Sequence, residues 1–259
     1  MKVSELIAWF ENKAGSSIHP DEGLRFGDPN VDADKVQVSW MASANAIRAA
    51  GERGARLMVV HESVFFPYNA TEKGGQSDFL SWRVNTRRVA LLSEYGITVV
   101  RIHGTLDAVC VFDDFAAALG LPPPSHAEGL VKVYDPPPAS VRDWVDRVKH
   151  SVGMDRLRVT AENLDRAVRR IGLPWGGLGL FVNVGYMQDL VKWGCDLFIA
   201  GETDDYGMRF ALESGIPMIE TSHEVSENFG LKHAEKMLAE GFPETEILFY
   251  ENRIPWTIL

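Results

Sequence analysis

Short apolar runs recur along the chain, and most are followed by a polar loop and an amphipathic stretch. Residues 36–40 and 56–60 (RLMVV) read as strands on either side of an Ala-rich helix at 43–53, punctuated by Gly51 and Gly54. A strand–helix–strand unit of this kind points to an α/β fold with a parallel or mostly parallel sheet. The pattern continues with helical spacing over 84–94, a stop at Gly96, and the strand 97–102 (ITVVRI). At the N-terminus, Leu6, Ile7, Trp9 and Phe10 suit an amphipathic helix. Glu5 and Glu11 interrupt that stretch, so it does not read as a secretory signal.

Two proline clusters, 122–124 and 136–138, cannot continue a helix or a central strand. They mark the expected boundary: an N-terminal α/β repeat over 1–121, a Pro-rich connection over 122–140 and a C-terminal α/β repeat over 141–259. Ser140 and Asp143 form a capping box that opens a helix over 141–152. The segment 157–173 fits helix and strand equally. A Gly-rich stretch, 176–179, then precedes helical spacing over 180–193. Strands are expected at 195–200, 217–221 and 246–250, and helices at 208–214 and 227–240.

The halves echo each other. In the first, a strand ends at His61-Glu62, a helix follows, and the next strand runs into His103 with Asp107 four residues on. In the second, a strand ends at Gly201-Glu202, a helix follows, and the next strand runs into His223 with Glu227 four residues on. Agreement in element order as well as motif position points to an approximate duplication.

This echo places the chemistry. In open α/β sheets, ligands bind beyond the carboxyl ends of the strands, where His61, Glu62, His103, Glu202 and His223 all fall. A four-residue spacing puts both members of each His–acid pair on one face of a helical turn. Imidazole with carboxylate suits Zn, Mn, Fe, Co or Ni. The six candidate ligands, His61, Glu62, His103, Asp107, His223 and Glu227, exceed what one tetrahedral ion with an open position needs. Two divalent metal ions per chain would use them. The glycine stretch reads either as an anion-binding turn at a helix N-terminus or as a tight turn under a packed helix. Val182 stands where a dinucleotide fingerprint needs its third glycine.

Composition narrows the class. The 259 residues are 46% hydrophobic and 24% charged, ordinary for a globular protein, and no apolar run is long enough to cross a membrane. A formal net charge of −10 disfavours nucleic acid as the main partner. Cys110 and Cys195 form no CxxC pair and read as core thiols, with the cytoplasm as the default compartment.

Six stretches carry a family resemblance: GLRFGDP at 23–29, MVVHESVFF at 58–66, VVRIHGTLDA at 99–108, the WGGLG loop at 175–179, CDLFIAGE at 195–202 and SHEVSENFG at 222–230. Through them the chain resembles the Nif-three-like dinuclear metal centre family, also known as homologues of a type 2 GTP cyclohydrolase I. The resemblance covers most of the chain. It implies two intertwined α/β repeats with mixed, mostly parallel sheets, assembled as a toroidal hexamer with dinuclear metal sites facing an inner cavity. It puts ligands on His61, Asp107, His223 and Glu227, with His103 nearby. The family's first motif usually reads His-His, and here the second position is Glu62. Glu62 either ligates, favouring harder ions, or hydrogen-bonds a metal-bound water. The chain is short for the family, which implies that the extra domain inserted in some members is absent.

Two functions fit. One is a metal-dependent hydrolase of a small phosphorylated or nucleotide-like substrate, with Glu62 or Glu202 as general base. The other is a metal-holding or regulatory interaction protein without turnover. A homo-oligomer is expected in either case. Large aromatics in segments read as loops or helix edges (Phe65, Phe66, Phe79, Trp82, Phe242, Trp256) suit an interface.

Overall fold

Three of the apolar runs become neighbouring parallel strands, Lys35–Ser39, Leu57–Val60 and Thr98–Arg101. The computed structural model, which describes residues 1–68, 70–71, 75 and 77–258, is mixed α/β. The chain divides into two compact units, Met1–Val111 with Gly230–Asn252 and Phe112–Phe229 with Arg253–Leu259. Residues 122–140 therefore lie inside the second unit.

In the first unit, Glu246–Tyr250 adds a parallel strand beside Lys35–Ser39, and Gly23–Phe26 adds an antiparallel one beside Thr98–Arg101. Leu57–Val60 and Thr98–Arg101 are buried throughout. Strands covered on both faces need no polar alternation, which explains their mostly apolar sequences. Helix Ala44–Glu52 begins at Ser43, whose side chain accepts from the Ala46 amide. Helix Arg83–Tyr95 ends at Gly96 in the left-handed conformation (φ 61°). Ile47 and Ala50 of the first helix and Leu92 of the second share a core with Met58, Val60 and Val99 of the sheet.

In the second unit, Ile171–Gly172, Leu197–Ala200 and Met218–Glu220 are parallel. Arg158–Thr160 pairs antiparallel with Met218–Glu220 at one edge. At the other edge, Val131–Tyr134 pairs antiparallel with Ile171–Gly172 and with His126–Glu128. The ambiguous segment 157–173 thus resolves into short strands, the third being Ala167–Val168, which pairs with Ala139–Ser140. The expected capping box is present: the Asp143 amide donates to Ser140 Oγ at 3.1 Å, and the Ser140 amide donates to Asp143 Oδ2 at 3.0 Å.

Three helix starts differ from expectation by three residues or more, and the helix expected from 208 begins at Asp205, where the Asp204 side chain caps it by accepting from the Gly207 amide. The helix expected from 180 begins at Val184, after a 3-10 turn Phe181–Asn183. Side chains tie that turn down: the Phe181 amide donates to Asp204 Oδ2, and Asn183 Nδ2 donates to the Gly177 carbonyl. The last long helix runs His223–Gly241, starting four residues before Glu227. His223 and Glu227 therefore both lie in its opening turns. Among the described residues no helix is long and apolar enough to cross a membrane.

Candidate metal centre

In the first unit, the parallel strands Leu57–Val60 and Thr98–Arg101 end side by side, with Val60 opposite Arg101. The chain then delivers His61 and Glu62 from one strand and His103 from the other. The rings of His61 and His103 lie 4.8 Å apart. Asp107 joins them from the helical segment that opens at Gly104. His61 Nε2 is 3.5 Å from Asp107 Oδ1, and His103 Nε2 is 4.0 Å from Asp107 Oδ2. Two atoms bound to one ion at about 2.1 Å each stand at most about 4.2 Å apart, so each histidine is spaced to share a cation with Asp107. One ligand atom from each of the three lies within 4.8 Å of the others.

The outer nitrogens decide which ring atom faces the cluster. His61 Nδ1 lies 3.2 Å from the Ile102 carbonyl, which can only accept, so Nδ1 carries a proton and, in a neutral ring, Nε2 the lone pair. His103 Nδ1 lies 3.2 Å from Asp21 Oδ2. That hydrogen bond and the nearby Arg101 hold the Asp21 carboxyl down at about 2. Arg101 is itself buried. It donates to the His61 carbonyl at 3.1 Å and to the Tyr68 hydroxyl at 2.6 Å, and sits 3.8 Å from Glu62 Oε2. Glu62 Oε1 lies 3.9 Å from His103 Nε2, so this buried carboxylate borders the trio with a cation on its other side.

The second unit repeats the arrangement with fewer candidate ligands. Leu197–Ala200 leads to Gly201-Glu202, and its neighbour Met218–Glu220 leads through Thr221 and Ser222 to His223. Ser222 has φ 109°, a left-handed value rare outside glycine and a local strain of the kind that clusters at functional sites. His223 Nδ1 lies 3.0 Å from Glu202 Oε2, and Nε2 lies 3.2 Å from Glu227 Oε1. Glu202 thus orients the histidine from outside, while the buried Glu227 stands beside the other ring nitrogen.

The glycine loop serves this second cluster. It does not open the helix, which starts only at Val184, so the anion-binding turn at a helix N-terminus does not form. Instead Gly176, at φ 52°, lies against the His223–Glu227 pair: a Cβ there would stand 2.1 Å from Glu227 Oε1 and 3.2 Å from His223 Nε2. The Gly176 amide donates to Ser226 Oγ at 2.9 Å, and the Glu202 amide donates to the Gly176 carbonyl at 2.7 Å. Gly201 permits this approach, since a Cβ there would come 2.4 Å from Gly176 N.

Sequence reasoning missed Asp21 and Glu22. Buried Glu22 accepts from the amides of His19 (2.7 Å), His103 (2.5 Å) and Thr105 (2.8 Å), and from Thr105 Oγ1 (2.6 Å). It therefore caps the turn that carries His103 towards Asp107. The contact joins residues 81 apart, so no local spacing could reveal it. The only available signal was an acidic pair preceding a glycine in a short loop. Cys110 and Cys195 are buried thiols outside any disulfide, as expected of core thiols, and burial pushes the Cys195 thiol up to about 12. His126 stacks on Trp193 and takes no part in either cluster.

Known proteins share this architecture. The structure of a Bacillus cereus protein related to NIF3 superposes with a TM-score of 0.80 at 15% identity, over 100% of this chain and 99% of that one. Reduced HcgD from Methanocaldococcus jannaschii gives 0.75 at 20% identity, over 97% and 98%. At these identities the likeness is one of fold. In sequence, a protein of Chlamydia pneumoniae named GTP cyclohydrolase 1 type 2 homolog is 25% identical over 256 residues, 94% of this chain and 95% of that one. A protein of the same name from Lactococcus lactis is 25% identical over 248 residues, covering 92% and 91%. The family model for Duf34/NIF3 (NGG1p interacting factor 3) matches residues 1–255, and the chain belongs to that family.

Proposed function

We propose that the chain holds two divalent metal ions, one on His61, His103 and Asp107 and one on His223 and Glu227, and hydrolyses a small phosphorylated or nucleotide-like substrate. One observation carries the reading. Three histidines each have Nδ1 engaged from outside, by the Ile102 carbonyl, Asp21 and Glu202, and two of the three Nε2 atoms lie within 3.5 Å of a carboxylate. Metal-ligating histidines have this arrangement, because the outer hydrogen bond fixes the tautomer and the ring direction. The mixed imidazole and carboxylate donors suit Zn, Fe, Mn, Co or Ni.

A divalent ion at such a site lowers the pKa of a water and clamps an anionic oxygen. The chain's own groups do the rest. Glu62 is the better general base. Its Oε1 lies 3.9 Å from His103 Nε2, one water's reach, while Arg101 faces its other oxygen. Glu202 is committed to His223 Nδ1 and positions that ring. The substrate class follows from the relatives' name, GTP cyclohydrolase 1 type 2 homolog. A panel of phosphomonoesters, nucleotides and cyclic amides, assayed with each candidate metal, tests it. Turnover that is lost in Glu62→Gln with metal retained supports the reading, and inactivity across the panel removes it.

A second reading is metal holding or regulatory interaction without turnover. It is favoured by the depth of the ligands, since His61 is 0% and Glu227 3% exposed. A substrate needs an open coordination position, whereas a storage site is closed by protein atoms. Either reading includes a homo-oligomer, a hexamer by family resemblance, acting in the cytoplasm. Phe65 has joined the core, but Phe66, Trp82 and Trp256 keep 41%, 38% and 37% of their surface exposed, which suits an interface.

A further inference from the structure

The loop between the first helix, Val3–Ala14, and the strand Gly23–Phe26 carries a carboxylate that the ligand set does not use. Asp21 Oδ2 meets two donors at once, Arg101 NH1 at 3.0 Å and His103 Nδ1 at 3.2 Å. Arg101 cannot swing away. Its side chain is 2% exposed, its Nε donates to the His61 carbonyl, and its NH2 donates to the Tyr68 hydroxyl. Asp21 is therefore anchored independently of His103. The backbone of His103 is fixed separately, through Glu22. With its main chain held by one acid and its ring by the other, His103 has little freedom left.

We infer that Asp21 is a positioning residue: anchored by Arg101, its carboxylate keeps His103 in the tautomer protonated at Nδ1 and turns the Nε2 lone pair towards Asp107. The ionised acid accepts and does not donate, so the nitrogen facing it must carry the hydrogen. In a neutral ring the other nitrogen is then bare. Nε2 lies 4.0 Å from Asp107 Oδ2 and 3.9 Å from Glu62 Oε1, the side on which a cation shared with His61 would sit. His61 obtains the same service from a main-chain carbonyl, which no side-chain substitution removes. His103 depends on a replaceable side chain, so its affinity for metal is the adjustable one. The importance of Asp21 for metal rests on the reading that His103 is a ligand, but the tautomer does not.

Nitrogen-15 NMR of the metal-free full chain, followed by Co(II) titration, separates the two. Wild type is expected to show His103 protonated at Nδ1 and bare at Nε2. Asp21→Asn keeps an acceptor oxygen and is expected to keep that tautomer. Asp21→Leu removes the acceptor and is expected to give a mixture, with Co(II) bound about 10–100-fold more weakly. Wild type protonated at Nε2 overturns the inference, and that result needs no variant to fold. So does a folded Asp21→Leu with the wild-type tautomer and affinity. A wild-type chain with the expected tautomer that binds no Co(II) upholds the positioning role and refutes the metal reading.

Discussion

Gly176→Ala probes the second cluster through a single added methyl. At Gly176 φ is +52°, and a Cβ would stand 2.1 Å from Glu227 Oε1. An ordinary carbon–oxygen contact is about 3.3 Å, so the carboxylate must retreat by about 1.2 Å. Metal ligands tolerate displacements of about 0.2 Å. The required shift is several times that. Glu227 is 3% exposed, which leaves little room for a smaller adjustment elsewhere. The left-handed backbone adds a cost of about 1–2 kcal/mol for any L-residue. Gly215→Ala is the control: it has φ +68° with nothing within 4 Å of its Cβ, and so carries the strain without the clash. Both variants are expected to melt roughly 2–8 °C lower. Only Gly176→Ala is expected to lose the metal bound at His223 and Glu227, read by elemental analysis after dialysis and by calorimetric titration. Full metal content and wild-type affinity in Gly176→Ala would refute the placement of the glycine loop against the ligands.

Glu62→His restores a second imidazole beside His61 and is expected to raise the preference for Zn over Mn in competition binding; an unchanged ratio places Glu62 outside the coordination sphere. Alkaline stability should depend on Cys195. Its folded thiol is pushed from an ordinary value of 9.0 up to about 12, so below pH 9 it has no effect, and above that the unfolded chain ionises first and stability falls. By pH 10.5 wild type should lose about 2 kcal/mol relative to Cys195→Ala in denaturant titrations, and parallel profiles would contradict it. Light scattering at low micromolar concentration should give six times the 28.8 kDa chain mass; a monomer would remove the assembly.

What could be read in advance followed from how local each signal is. LMVV and LFIA announce themselves because strands buried on both faces cannot alternate with polar residues. The His–acid pairs were legible for the same reason, since four residues is one helical turn. Gly23–Phe26 was missed because it is a short edge strand containing Arg25, visible only through its pairing with Thr98–Arg101. The hairpin His126–Glu128 with Val131–Tyr134 was hidden by its polar composition and the prolines around it. Within the candidate site, the clustered His and acid residues were legible and their supports were not. Asp21 and Glu22 act on His103 across a long stretch of chain, and Arg101 is a single charged residue inside the apolar run ITVVRI.

The central claim is that the chain holds two divalent ions. Elemental analysis of the purified full chain, wild type beside His103→Ala and His223→Ala, tests it most directly, with circular dichroism confirming that each remains folded. His103 and His223 follow strand ends and keep part of their side chains exposed, so folding should survive both changes. Two divalent ions are expected per wild-type chain and one in each variant. Equal metal content in all three proteins would contradict the claim.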